Sequence, residues 1–134
     1  MTLSLSIENI VKTALATSAL QTRESGVCLT LSDRAALEKL SEAAFAYTVL
    51  QLYPYAVDSE VADGMMILEL ELPDQIPAST LRLHLEQAVF AHVMALATAD
   101  HDEQRRLLAL RDESIAALRR LVPFEDPGTR LPFC

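Results

Sequence analysis

The chain has 134 residues, a net charge of −8 and 51% hydrophobic side chains, which predicts one domain with a hydrophobic core that needs no disulfide or metal. Cys28 and Cys134 do not resemble a disulfide framework, and residues 1–6 carry no positive charge, so we expect no secretory signal and a cytoplasmic location. No uncharged apolar stretch is as long as a membrane span, which needs about 18 residues. We also expect no nucleic-acid binding, because an acidic surface repels phosphates.

The first part of the chain predicts two helices with a short strand between them. A helix is predicted over residues 7–20, with Ser6 as its N-cap, because five apolar residues share one face: Ile7, Ile10, Val11, Ala14 and Leu15. The apolar run 27–31 predicts a short buried strand. A second helix is predicted from about Asp33 to Tyr53, where Pro54 ends it, and its apolar second half predicts burial on every side.

The middle of the chain predicts a loop and a second strand. Residues 55–64 are predicted to form the loop, which closes with the turn pair Asp63–Gly64. Residues 65–72 alternate between an apolar face and a face that carries Glu69 and Glu71, which predicts a strand with one solvated face. We interpret these glutamates as charges that discourage edge pairing rather than as catalytic acids, because no base, nucleophile or metal ligand lies nearby in sequence.

Two longer helices are predicted in the second half. Residues 78–98 keep helical spacing of apolar side chains, and Asp100 with Glu103 resembles a capping box that begins a helix at His101 and extends to about Val122. The last helix carries a broad leucine stripe, for which we favour packing on its own domain over a partner helix. The predicted class is α+β, predominantly α, with about four helices around a small two-stranded element, antiparallel or parallel, that helices or another subunit complete.

Residues 123–134 are predicted to be an arm that follows a single domain of residues 1–122. The arm holds three of the six prolines and two of the four phenylalanines of the chain. It either docks on another copy or a partner protein, or lies across its own domain. The candidate interaction residues are Phe124, Leu131, Phe133, Arg119 and Arg120.

No motif in the sequence carries recognisable chemistry, so we predict no metal, no cofactor and no enzyme activity. His84 and His92 are eight residues apart on the third helix, about 12 Å along its axis, which is too far to share one ion; we expect both to be partly buried and hydrogen bonded. The loop 58–69 lacks the glycine of a calcium site. Cys28 lies in an apolar run, where a thiol stays protonated.

These observations predict a non-catalytic interaction or assembly subunit, a homo-oligomer or an adaptor for another protein, a character that phage and prophage structural subunits share. The alternative is a small-molecule-binding domain or small enzyme with a pocket between the second and third helices. Its candidate residues are Tyr47, Tyr53, Tyr55, His84 and His92. A deep cavity at these side chains favours the alternative, and a filled core favours the contact role.

Overall fold

A computed structural model describes residues 2–25, with the backbone alone from residue 18, and residues 34–52, 56–71, 77–98 and 100–121. Its elements in chain order are β1 (Thr2–Ser6), α1 (Ile7–Ser25), α2 (Arg34–Gln51), β2 (Ala56–Ala62), β3 (Met65–Leu70), α3 (Ala78–Ala97) and α4 (His101–Leu121). The predicted class, α+β and predominantly α with four helices, is confirmed. The predicted strand 27–31 and the predicted arm 123–134 fall outside the described residues.

The sheet has three antiparallel strands in the order β1-β3-β2 within the described residues, rather than the two predicted. The two strands that pair with β3 were not predicted. The first, β1, precedes α1, and the second, β2, replaces most of the predicted loop 55–64. Because β3 is the central strand, Glu69 does not lie at an edge, and the interpretation of this residue as edge protection is wrong. Glu71 follows the end of β3 and is exposed.

A two-residue turn joins β2 to β3 and confirms the predicted turn pair. Asp63 and Gly64 both have positive φ, 53° and 76°, as the type I′ turn requires, and this turn matches the twist of an antiparallel hairpin. The amide of Ile7 donates a 3.0 Å hydrogen bond to the carbonyl of Gly64. The turn is therefore also tied to the start of α1.

The core lies between one face of the sheet and the helices. Leu3 and Leu5 of β1 and Met66, Leu68 and Leu70 of β3 are buried, and the residues between them face outward, as the period of two requires. The predicted apolar face of α1 is also buried or partly buried. The predicted N-cap is confirmed, since the Ser6 hydroxyl accepts a 3.3 Å hydrogen bond from the amide of Asn9.

The core helix is α3, whereas α2 buries one face only. The predicted burial of the second half of α2 on every side is wrong, because Leu50 is 72% exposed and Ala43 and Ala46 are exposed as well. The buried positions of α2 repeat at helical spacing: Leu37, Ser41, Ala44, Phe45 and Thr48. An apolar sequence therefore does not require burial on all sides when a helix packs at the outside of the helical layer.

The helices α3 and α4 pack against each other as an antiparallel pair. The predicted cap at Asp100 lies between them in the chain, at the start of α4. The carboxylate of Asp100 accepts hydrogen bonds from the amides of Asp102 (2.9 Å) and Glu103 (3.2 Å), which satisfies two free donors at the start of α4. Across the pair, the side-chain amide of Gln104 donates to the carbonyl of Ala95 at 3.0 Å. The favoured self-packing of α4 is confirmed by its buried residues, among them Leu107, Ile115 and Leu118.

Candidate functional site

Two of the candidate pocket residues, Tyr47 of α2 and His92 of α3, pack against each other. Tyr47 and His92 make an edge-to-face contact with ring centroids 5.0 Å apart and an interplanar angle of 86°. The guanidinium carbon of Arg111, on α4, lies 4.4 Å from the centroid of the Tyr47 ring, where the π face attracts the cation. Three helices therefore meet at these side chains, and no motif in the sequence placed Arg111 beside Tyr47.

Two of the five candidate pocket residues are brought together. Tyr47 and His92 are in contact, as described, whereas His84 lies two turns earlier on α3, about 12 Å along the axis. Tyr53 and Tyr55 lie outside the described residues. The depression nearest to Tyr47 has a volume of about 220 Å³ and lies between the end of α2 and the second half of α4, with Arg119 at its rim. This shallow space is not the deep cavity that the small-molecule alternative needs at this place.

The surroundings of His92 disfavour its charged form. Its Nδ1 atom is buried and has no hydrogen-bond partner among the described residues, so the expectation that this histidine is hydrogen bonded is wrong at that atom. Burial, and then the charge of Arg111, lower the pKa of His92 below its usual value, because both disfavour the charged imidazolium. The edge-to-face contact with Tyr47 gives the imidazole ring a structural role between α2 and α3.

An open groove of about 380 Å³ lies elsewhere, between α1 and α3. Ile10 and Phe90 give it an apolar floor, and the opposite charges of Arg82 and Glu86 stand one helical turn apart on α3. No pattern in the sequence placed α1 beside this part of α3. The groove brings together side chains that are more than seventy positions apart in the chain.

Strand β2 is the most exposed element of the sheet. Its side chains are exposed at every position after Ala56, including Val57 (51%) and Val61 (43%). Within the described residues β2 pairs only with β3, so its other side is an edge. Sequence reasoning missed this strand because Asp58, Ser59 and Glu60 are residue types that strands seldom contain.

Carboxylates surround the β2 edge on both sides. Asp58 pairs with Glu69, and Glu60 pairs with Ile67, so these side chains share the outer face of the sheet. The Thr2 hydroxyl donates to Glu69 and is the main reason why the pKa of Glu69 is lowered. On the core side, a depression of about 290 Å³ beside Val61 is lined by carboxylates of the first half of α2, Glu38 and Glu42.

The described residues offer no metal site and no membrane span. Among them, no group of three or more His, Cys, Asp or Glu side chains is arranged to hold an ion. None of the helices, over the same residues, is long and apolar enough to cross a bilayer. No protein-family model, no curated protein and no solved structure matches the chain.

The remaining candidate residues lie at the end of α4. Arg119 and Arg120 are exposed in the last turn of this helix, where cations interact favourably with the helix dipole. Phe124, Leu131 and Phe133 lie outside the described residues, so their predicted role as contacts of the arm stays a prediction.

Proposed function

We propose that this chain is a non-catalytic subunit that works by binding another protein, and that β2 is the element that binds. The observation that carries the proposal is a seven-residue edge strand that is exposed at six positions and pairs with β3 alone in the described part of the sheet. The unpaired backbone groups of such an edge can add a strand from a partner, and the hydrogen bonds of that added strand supply affinity.

The valines of β2 support the proposal. Val61 pairs with Met66, which is buried, so Val61 lies on the core side of the sheet and nevertheless stays 43% exposed. The helical layer therefore leaves apolar surface uncovered beside the edge. An added strand would cover this surface while it pairs with β2, and burial of apolar area contributes roughly 25 cal/mol per Å².

The proposal is tested with short strand-forming peptides and amide NMR. A peptide that adds to β2 should shift the amide signals of residues 56–62 and slow their hydrogen exchange. The same peptide with every backbone nitrogen methylated has no N–H donor on either edge, so it cannot pair and should leave these signals unchanged. Absence of shifts in β2 with any peptide, or equal binding of the methylated peptide, would contradict strand addition.

A matched pair of variants tests whether Val61 contributes to the binding. Val61→Lys should weaken peptide binding, since it removes apolar surface next to the edge. Leu83→Lys is the control because Leu83 is 52% exposed on α3, away from the sheet edge, and it should leave the affinity unchanged. Equal loss in both variants would indicate a general effect of exposed leucine or valine rather than a contact at β2.

A small-molecule site is the second candidate function, and the groove between α1 and α3 is the observation that favours it. Its volume of about 380 Å³ lies in the range of small-ligand sites. Arg82 and Glu86 over an apolar floor suit a small zwitterion such as an apolar amino acid. Titration with L-phenylalanine should then shift amides of α1 and α3, Arg82→Gln should abolish the shifts, and Arg105→Gln on α4 should not.

A further inference from the structure

We infer that the strand that β2 accepts is basic and belongs to a different protein rather than to a second copy of this chain. This inference rests on the proposed function, since it names the chemistry of the partner that the β2 edge would add. Its basis is the distribution of charge around the edge, on the outer face and on the core side.

The charged side chains of the three strands are all acidic and lie on the outer face of the sheet. The three strands contain Asp58, Glu60 and Glu69 and no lysine, arginine or histidine. Asp58 accepts a 2.9 Å hydrogen bond from the amide of Ser59, and among the described residues neither Asp58 nor Glu60 has an ion pair. Two exposed carboxylates thus stand two positions apart on the strand that forms the edge.

The core side of the edge repeats this sign of charge. Glu38 and Glu42 lie one turn apart on α2 and line the depression beside Val61. Neither has an ion pair among the described residues. A partner strand whose outward side chains are cationic would meet Asp58 and Glu60, and a lysine on its other face would reach Glu38 and Glu42 along Val61.

The spacing of Asp58 and Glu60 along β2 matches the spacing of side chains on one face of a partner strand. Side chains at alternate positions of a strand share one face and stand about 7 Å apart, and opposite charges directly across two strands stabilise the pairing. Asp58 and Glu60 have this alternate spacing. Basic residues at two alternate positions of the partner would therefore each face one carboxylate. The net charge of −8 would also speed the approach of a cationic partner.

A second copy does not fit the edge. In an antiparallel pair of two β2 strands centred on Ser59, Asp58 of each strand lies opposite Glu60 of the other. A shift by two residues in either direction moves the centre of the pair to Asp58 or to Glu60, and the residue at the centre then faces its own copy. A parallel pair in register also aligns like charges. Each of these registers, in which the acidic faces of both strands lie on the same side, therefore opposes carboxylates, which is destabilising, whereas a basic strand reverses the sign of each contact.

Three peptides of equal length test the inference. Each alternates valine with a second residue, which is lysine, threonine or glutamate, and the affinity for the whole chain is measured at low and at high salt. We expect the lysine peptide to bind at least tenfold more tightly than the glutamate peptide, with threonine between them. The difference should shrink in high salt, because exposed charges are screened.

Variants of the chain connect the preference to the named carboxylates. The double variant Asp58→Lys with Glu60→Lys should reverse the order of the three peptides, and Asp58→Thr with Glu60→Thr should flatten it. The control, Asp102→Lys with Glu113→Lys, changes the net charge by the same amount at two exposed positions of α4 and should retain the order. Thermal unfolding of each variant verifies that the fold is intact.

The outcomes separate the inference from the proposed function. Equal binding of the three peptides, or the same order in the Asp58 and Glu60 variants, would overturn the basic partner but leave strand addition standing. No binding of any peptide to β2 would contradict the proposed function itself. A dimer of the wild-type chain that dissociates in Val61→Lys would overturn the exclusion of a second copy.

Discussion

The helix α3 and the strand β2 differ in how much of their side-chain surface the domain covers. Nine of the 20 residues of α3 are buried, and the helix packs against α2, α4 and the sheet. In β2, six of the seven side chains are exposed, and the strand is held through its backbone pairing with β3. Burial fixes the residue types of α3, whereas backbone pairing leaves the side chains of β2 open for charge and for binding.

This contrast predicts that core and edge substitutions separate stability from binding. Residues of α3 should change the free energy of unfolding with little effect on the surface that a partner meets. Residues of β2 should change binding with little effect on unfolding. The following substitutions test the contrast, beginning with the largest expected effect.

Leu85→Ala should lower the free energy of unfolding by about 2–5 kcal/mol, because Leu85 is fully buried and the substitution leaves a cavity. Leu83→Ala, two residues earlier on the exposed face of α3, and Val61→Ala in β2 should each cost less than about 1 kcal/mol. Urea denaturation followed by circular dichroism measures all three. A loss for Val61→Ala as large as that for Leu85→Ala would break the contrast.

Gly64→Ala should lower the free energy of unfolding by about 1–2 kcal/mol, the cost of a left-handed conformation for a residue with a Cβ atom. The added Cβ meets no heavy atom within 4 Å, so this cost is conformational and not steric. Asp63→Gly, at the other position of the turn, should change stability by less than about 1 kcal/mol. If Gly64→Ala were neutral, the turn would not be what holds β2 on β3.

His92→Phe should reduce the dependence of stability on pH below about 6.5. The pKa of His92 is lowered in the folded chain. As the pH falls below the pKa of the unfolded chain, the unfolded state therefore takes up a proton before the folded state does. The free energy of unfolding decreases until the pH reaches the pKa of the folded chain. Phenylalanine cannot titrate and keeps a ring against Tyr47. The free energy of unfolding, measured between pH 8 and 5, should therefore fall less steeply with decreasing pH in the variant. Parallel profiles would contradict this account.

Helices were predictable from the sequence because their signals are local. The spacing of apolar residues predicted α1 and α3. Asp100 with Glu103 predicted the start of α4, since a capping box acts within one turn. Which face of α2 is buried was not predictable in the same way. Leu50 and Phe45 are both apolar, and their different exposure depends on which face meets α3, which is a property of the assembled helices.

The sheet was predictable only at β3, where the alternation is long and the apolar face is strong. The five residues of β1 alternate too, with Leu3 and Leu5, but a run this short gains its structure from β3. In β2, the valines at 57 and 61 with the Asp63–Gly64 pair were an available hairpin signal, which the polar residues 58–60 obscured. The packing of Arg111 on Tyr47 was not predictable, because spacing along one chain does not report contacts among three helices.

The pairing of β1 with β3 has a consequence for the order in which the structure forms. Thr2 and Glu69 are 67 positions apart in the chain, whereas a two-residue turn connects β2 and β3. A hairpin of this kind closes in about 1–10 μs, and pairings across long loops are slower because more chain entropy is lost before contacts form. The β2–β3 ribbon should therefore nucleate first, and β1 should join it as a late step that depends on the intervening helices.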